Sequence, residues 1–182
     1  PNLSSPPAPP SIPSSPDKAA PSSQKSSLAR KAVLLPILMY HHIGYIPKDA
    51  SQLCKDLTVS PSVFERQMAY LAKEDYHPIS FSALSDYFSS GEKIPERSVI
   101  ITFDDGWKSQ YEYAVPVLKK YHFKATFFII VNYVGSSAFM SWNQLKELIG
   151  QGMEMGSHTL DHSNLKTISE DEINQEVVSS KA

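Results

Sequence analysis

Val99-Ile100-Ile101-Thr102-Phe103-Asp104-Asp105-Gly106-Trp107 runs a continuous apolar stretch straight into two carboxylates and a glycine. A short β-branched run bounded by a turn signal reads as a strand buried on both faces, the kind found in parallel sheets covered by helices. In α/β folds the loops after the C-terminal ends of strands carry the chemistry, because the sheet fixes their roots while the loops stay free to vary. Asp104 and Asp105 stand at such an end. Two adjacent carboxylates repel, and the repulsion is relieved when one binds a cation and the other stays free to accept a proton. Gly106 permits the sharp turn that aims both inward. A plain Asp-Gly turn leaving a strand is the competing structural reading of the same residues.

Outward from this stretch, apolar runs alternate with helical patterns, the signature of an α/β chain. Candidate strands are Val33–His41, His77–Ser80, Val99–Phe103, Ala125–Val131 and Glu154–His158. Ser60 followed by Pro61 supplies an N-cap and a first-turn proline, after which Val63, Phe64, Met68 and Leu71 share a helix face. Ser141 with Gln144, and Ser169 with Glu172, each spell a capping box, and Gly152 is placed to end the first of these two helices. Pro116 interrupts the pattern from Ser109 to Tyr121, so a helix is expected to start near Tyr113 or to kink there.

The second informative string is Glu154-Met155-Gly156-Ser157-His158-Thr159-Leu160-Asp161-His162, where another candidate strand ends in two histidines four residues apart. Such a pair can present both imidazoles to one metal if the segment turns helically, although chance surface histidines give the same pattern. Two histidines with one aspartate form a three-ligand site with room for water, as a catalytic rather than a structural metal requires.

Taken together, Thr102–Gly106 and His158–His162 resemble the first and second motifs of the polysaccharide deacetylases of carbohydrate esterase family four, the chitooligosaccharide deacetylase homology family. The resemblance runs from about Leu35 to Ser180 and takes in Ala125–Phe128 and Ser141-Trp142. It implies an irregular (β/α) barrel, a TIM-like α/β fold, with Asp105, His158 and His162 as metal ligands and Asp104 as catalytic base. The implied cofactor is one divalent metal, zinc, with cobalt or nickel also acceptable to such ligands. The metal would polarise an acetamide carbonyl and a water while Asp104 takes the proton.

Leu38-Met39-Tyr40-His41-His42-Ile43-Gly44 resembles the start of a circularly permuted subgroup, the poly-N-acetylglucosamine deacetylases of biofilms, in which the catalytic-acid histidine lies at the beginning of the domain. One of His41 and His42 would then protonate the leaving amine, a role that suits a group titrating near neutrality. Adjacent strand residues point to opposite faces, and His41, directly after the tyrosine, is the one assigned. Trp107, and more weakly Trp142, are candidates to stack on a sugar, although packing is the commoner fate of such rings. His77 and His122 are read as structural.

The family barrel has seven or so strands, but only about five are found here, and the motifs that follow the second one in the family are missing before Ala182. An incomplete barrel exposes a sheet edge and apolar interior, so the chain is expected to be a fragment, and the initial Pro1 points to a processed product. Residues 1–30, rich in Pro, Ser and Ala, are expected to form a disordered linker tethering residues 31–182, the N-terminal portion of the deacetylase domain, to a cell envelope. A net charge of −2 without a basic stripe argues against nucleic acid as a partner. No apolar run is long enough to span a membrane, and Cys54 is a lone loop thiol. The implied partner is an acetylated amino-sugar polysaccharide, met outside the cell by a secreted or tethered monomer. Other acetylated glycans, namely peptidoglycan, chitin oligomers and O-acetylated xylan, could use the same site. An inactive carbohydrate-binding module is the alternative of another class, yet no ligand and not Asp104 is lost. A Pro-rich arm bound in a partner's groove is the third reading.

Overall fold

The computed structural model describes residues 32–181, so the stretch expected as a linker, 1–30, lies outside the described residues. In chain order the elements are β1 (Ile37–Tyr40), β2 (His42–Ile43), α1 (Gln52–Asp56), β3 (Thr58–Val59), α2 (Pro61–Lys73), β4 (His77–Pro78), α3 (Phe81–Ser89) and β5 (Ser98–Phe103), then a π-helical turn (Gln110–Ala114) running into α4 (Val115–Lys120). They are followed by β6 (Thr126–Ile129), a 3-10 turn (Val131–Tyr133), α5 (Trp142–Gly150), β7 (Glu154–Ser157), α6 (Glu170–Val178) and a last 3-10 turn (Ser179–Lys181).

All strand pairs in the main sheet are parallel, in the order β1-β5-β6-β7, with β4 paired to the start of β5. Every residue of β5 is buried, as its apolar run predicts for a central strand covered on both faces. The sheet does not close into a ring among the described residues. Its β1 edge leaves Ile37 and Met39 exposed, in keeping with the expected incomplete barrel.

The register places three aromatic residues side by side: Tyr40 is opposite Phe103, and Phe103 is opposite Phe127. Their rings stack, with centroids 5.5 Å apart for Tyr40 and Phe103 and 4.8 Å for Phe103 and Phe127. Phe64 of α2 meets Tyr40 and Phe103 edge-on, so a dry aromatic floor lies one residue below His41 and Asp104. Each such ring contributes about 1.5–3 kcal/mol through burial.

The helix punctuation acts as written. Ser60 caps α2, whose Phe64, Met68 and Leu71 are buried, and both capping boxes form with side-chain and backbone bonds in both directions. Gly152, in the left-handed region, follows the end of α5. The apolar pattern does not announce α1 and α3, short helices capped by Ser51 and Ser80.

Two expectations are corrected. The helix near Pro116 neither starts at Tyr113 nor simply kinks. A π-helical turn precedes it, with the Val115 N–H donating to the Gln110 carbonyl five residues back. The widened turn gives the proline ring space at the one position where its missing N–H would otherwise break the ladder. The first strand is also shorter than Val33–His41: it ends at Tyr40, and after a break at His41 the chain pairs His42 and Ile43 with β3.

Candidate metal centre and active site

Three strand ends converge. His41 follows β1, Asp104 and Asp105 follow β5, and His158 follows β7, with His162 four residues further on. Backbone bonds continue the sheet into these loops: the Asp104 N–H donates to Tyr40 (2.9 Å), and the His158 N–H donates to Ile129 (2.9 Å).

Asp105 adopts φ 74°, followed by Gly106 at 84°. Left-handed geometry is costly for a residue with a Cβ and persists only where surroundings impose it. The Gly106 carbonyl accepts from Met140, and the Lys108 N–H donates to Ala138, which pins the turn to the 136–140 loop. A Cβ on Gly106 would sit 3.0 Å from the Ile129 side chain, so the position favours glycine by space as well as by φ.

The turn divides the labour of the Asp105 oxygens. Oδ2 accepts the Trp107 indole N–H at 2.8 Å. Oδ1 is buried without a hydrogen-bond partner, 3.4 Å from Nε2 of His158 and 3.7 Å from Nε2 of His162. The ligand atoms of these three residues lie within 4.8 Å of one another. A tetrahedral cation with bonds of about 2.0–2.1 Å separates its ligands by roughly 3.4 Å. An orphaned carboxylate oxygen facing two imidazole nitrogens at that spacing fits a divalent metal, and the N,N,O donor set suits zinc.

The pair of histidines is not brought together by a helical turn, as their spacing suggested. Residues 158–162 form a loop in which Thr159 (φ 68°) and His162 (φ 59°) take left-handed conformations. Two such residues reverse the chain tightly enough to set the imidazole rings 4.8 Å apart.

Asp104 lies beside this cluster, with Oδ2 3.9 Å from Nε2 of His41. Burial pushes its carboxyl above the usual range, against the opposing pull of His158 and His41. Asp105 shifts the other way. Burial raises it, but the close approach of the His158 imidazole, the indole bond from Trp107 and the charge of His41 outweigh that and hold it below the ordinary value. The Asp105 carboxylate 3.4 Å away in turn raises His158, against the effect of burial. Neighbouring carboxylates whose environments push them apart are suited to different tasks.

His41 is the histidine that faces Asp104. His42 packs its ring on Trp107 at 4.1 Å, and burial lowers its pKa despite the charge of Asp105. Because the strand breaks at His41, simple alternation does not apply, and both rings stay on the side of the centre. Trp107 also stacks on Phe139 at 4.2 Å. Two rings at such distances cannot share one face, so the indole is sandwiched and only its edge is left for a sugar. Trp142 is half-exposed at the start of α5.

Two residues that the sequence reading passes over support the site. Gln110 is fully buried in the π-helical turn, and its amide donates to the carbonyls of His41 (2.8 Å) and Asp104 (2.5 Å), tying two strand ends together. Glu176, buried on α6, accepts the N–H groups of Leu160 and Asp161. In sequence both look like solvated polar positions on helices, and no local signal marks them.

Comparison with known proteins finds similar sequences and structures. A family model described as polysaccharide deacetylase matches residues 91–182. The chain is 35% identical to YxkH of Bacillus subtilis over 151 residues, covering 83% of this chain and 51% of the relative. It is 40% identical over 124 residues to a poly-β-1,6-N-acetyl-D-glucosamine N-deacetylase of Staphylococcus aureus, covering 64% and 42% respectively. The chain thus spans about half the length, or less, of these relatives. Among solved structures, the deacetylase PplD of Streptococcus pyogenes, in complex with acetate, superposes with a TM-score of 0.75 at 33% identity, covering 83% of this chain and 67% of that one. IcaB from Ammonifex degensii superposes at 0.60 and 30% identity, covering 76% and 57%.

Proposed function

This chain belongs to the polysaccharide deacetylase family, and from that premise we propose that it carries the metal-binding part of a catalytic domain that removes N-acetyl groups from an extracellular poly-N-acetylglucosamine. The observation that carries the reading is the unpartnered Asp105 Oδ1 facing two imidazoles, with a separate carboxylate–histidine pair beside it. Asp105, His158 and His162 would hold the metal, zinc by the chemistry of the donors. Bound there, a divalent cation supplies Lewis-acid activation of the acetamide and the water that attacks it.

The protein's own groups handle the protons. Asp104, outside the ligand set, accepts the proton of the attacking water, and its raised affinity for protons makes it a stronger base than a free carboxylate. His41, 3.9 Å from Asp104, donates a proton to the departing amine. Gln110 holds the backbones of both residues, so base and acid keep their separation while protons move. The aromatic floor keeps bulk water from their underside.

The poly-N-acetylglucosamine assignment rests on the Met39-Tyr40-His41 start and on the name of the staphylococcal relative. Residues 31–182 are the deacetylase portion, and residues 1–30 its linker. Among the described residues no helix is long and apolar enough to cross a membrane. The test is acetate release from poly-N-acetylglucosamine, chitin oligomers, peptidoglycan and acetylated xylan, with and without zinc. Measured on the complete catalytic domain, release from any of the other three without release from poly-N-acetylglucosamine, or from none of the four with zinc bound, would refute the assignment.

A further inference from the structure

The loop between the two histidines must satisfy its own backbone while holding two left-handed residues. Its carbonyls are taken from one side: Thr159 accepts from the N–H of Val131 (3.3 Å) and Leu160 from that of Asn132 (3.0 Å). Its N–H groups are taken from elsewhere. Ser157 Oγ accepts from Thr159 (3.2 Å), Thr159 Oγ1 accepts from His162 (3.0 Å), and one oxygen of Glu176 accepts from both Leu160 and Asp161, each at 2.9 Å. Glu176 reaches the loop from α6, fourteen residues beyond His162, and is only 6% exposed. Besides Asp105 it is the only buried carboxylate among the described residues. A carboxylate accepting two backbone N–H groups makes charge-assisted bonds, about twice as strong as neutral ones.

We infer that Glu176 is a positioning residue for the metal centre, its carboxylate holding the 158–162 loop in the left-handed shape that presents both imidazoles to Asp105. Unclamped, Leu160 and Asp161 would have free N–H groups, and Thr159 and His162 would relax toward ordinary φ, which moves His162 away from Asp105. The inference rests on the proposed metal role of His158 and His162, and it adds a residue that touches neither metal nor substrate. Removing groups that orient metal ligands typically weakens binding about 10- to 100-fold.

The test measures zinc affinity by chelator competition, and the melting temperature of the metal-free form, for wild type, Glu176→Ala, Glu176→Gln and Glu154→Gln. Glu154 is a second carboxylate that accepts two backbone N–H groups, those of Phe81 and Ser82 at the start of α3, at the far end of β7 from His158, and serves as a control for destabilisation without loss of the clamp. Expected are a zinc affinity about 10- to 100-fold weaker in Glu176→Ala, most of it recovered in Glu176→Gln, which keeps an oxygen for the two N–H groups, and no loss in Glu154→Gln. Unchanged affinity in Glu176→Ala, an equal loss in Glu154→Gln, or a Gln variant as weak as the Ala variant would each overturn the clamp. If Glu176→Ala does not fold, Glu176→Asp, too short to reach both N–H groups, takes its place with the same outcomes. A wild type that binds no zinc would instead remove the metal reading beneath it.

Discussion

Replacing Asp104 with Asn should abolish most turnover while leaving the metal in place. The side chain is 13% exposed, and the backbone on either side is fixed, with its N–H on Tyr40 and its carbonyl on Gln110. An amide of the same size therefore occupies the same space. It cannot take a proton from water, and a general base contributes about 10²- to 10⁴-fold in rate, or roughly 2.7–5.5 kcal/mol of barrier at 1.36 kcal/mol per decade. Zinc should remain, because the three ligand atoms that face one another belong to Asp105, His158 and His162. The loss should fall on kcat rather than on glycan binding, since the proton moves only in the transition state. Acetate release and zinc content, measured on the same samples of wild type and Asp104→Asn, decide the matter. Turnover close to wild type would exclude Asp104 as the base, and zinc lost together with activity would make it a ligand.

His158→Ala and His162→Ala should each lose bound zinc, and equal zinc content in both variants and wild type would end the three-ligand reading. Zinc occupancy should also fall on acidification, because imidazole must be neutral to bind, and the nearby Asp105 carboxylate that raises His158 moves its loss to higher pH than an ordinary histidine would show. Glu154 accepts the N–H groups of Phe81 and Ser82 and the Thr126 hydroxyl, so Glu154→Gln should cost about 1–2 kcal/mol in a denaturant titration, allowing for partial exposure. Burial opposes ionisation of Glu154, but those bonds prevail and lower its pKa below 4.5, so its contribution is complete above about pH 4.5 and fades as pH falls through the lowered value; a stability difference between wild type and Glu154→Gln that persisted at pH 2 would contradict this. Gly156→Ala should destabilise by about 1–3 kcal/mol, because its Cβ would collide with the Phe128 ring across the β6–β7 pair, and an unchanged melting temperature would refute that packing.

The fold class, and the carboxylates and imidazoles singled out as candidate site residues, were legible in the sequence because each depends on short-range information. An apolar run such as Val99–Phe103 reports burial on both faces by its own composition. Ser60-Pro61 and the two capping boxes act within a single helical turn, and all three form. Asp104, Asp105, His158 and His162 were visible because carboxylates and imidazoles at strand ends are uncommon and chemically marked. Long-range geometry decided the rest. Which oxygen of Asp105 stays free depends on an indole two residues away and on a turn held by the 136–140 loop. His41 and His42 could be told apart only once a strand break and the neighbouring rings were known. Spacing alone offers a helical turn as the way to bring the two histidines together, whereas φ at Thr159 and His162 is held by a carboxylate on a helix that follows them, a contact of which sequence spacing carries no record. Gln110 and Glu176 stayed hidden for the same reason: a polar residue on a helix faces water by default, and only packing that brings an orphaned backbone group to it makes burial favourable.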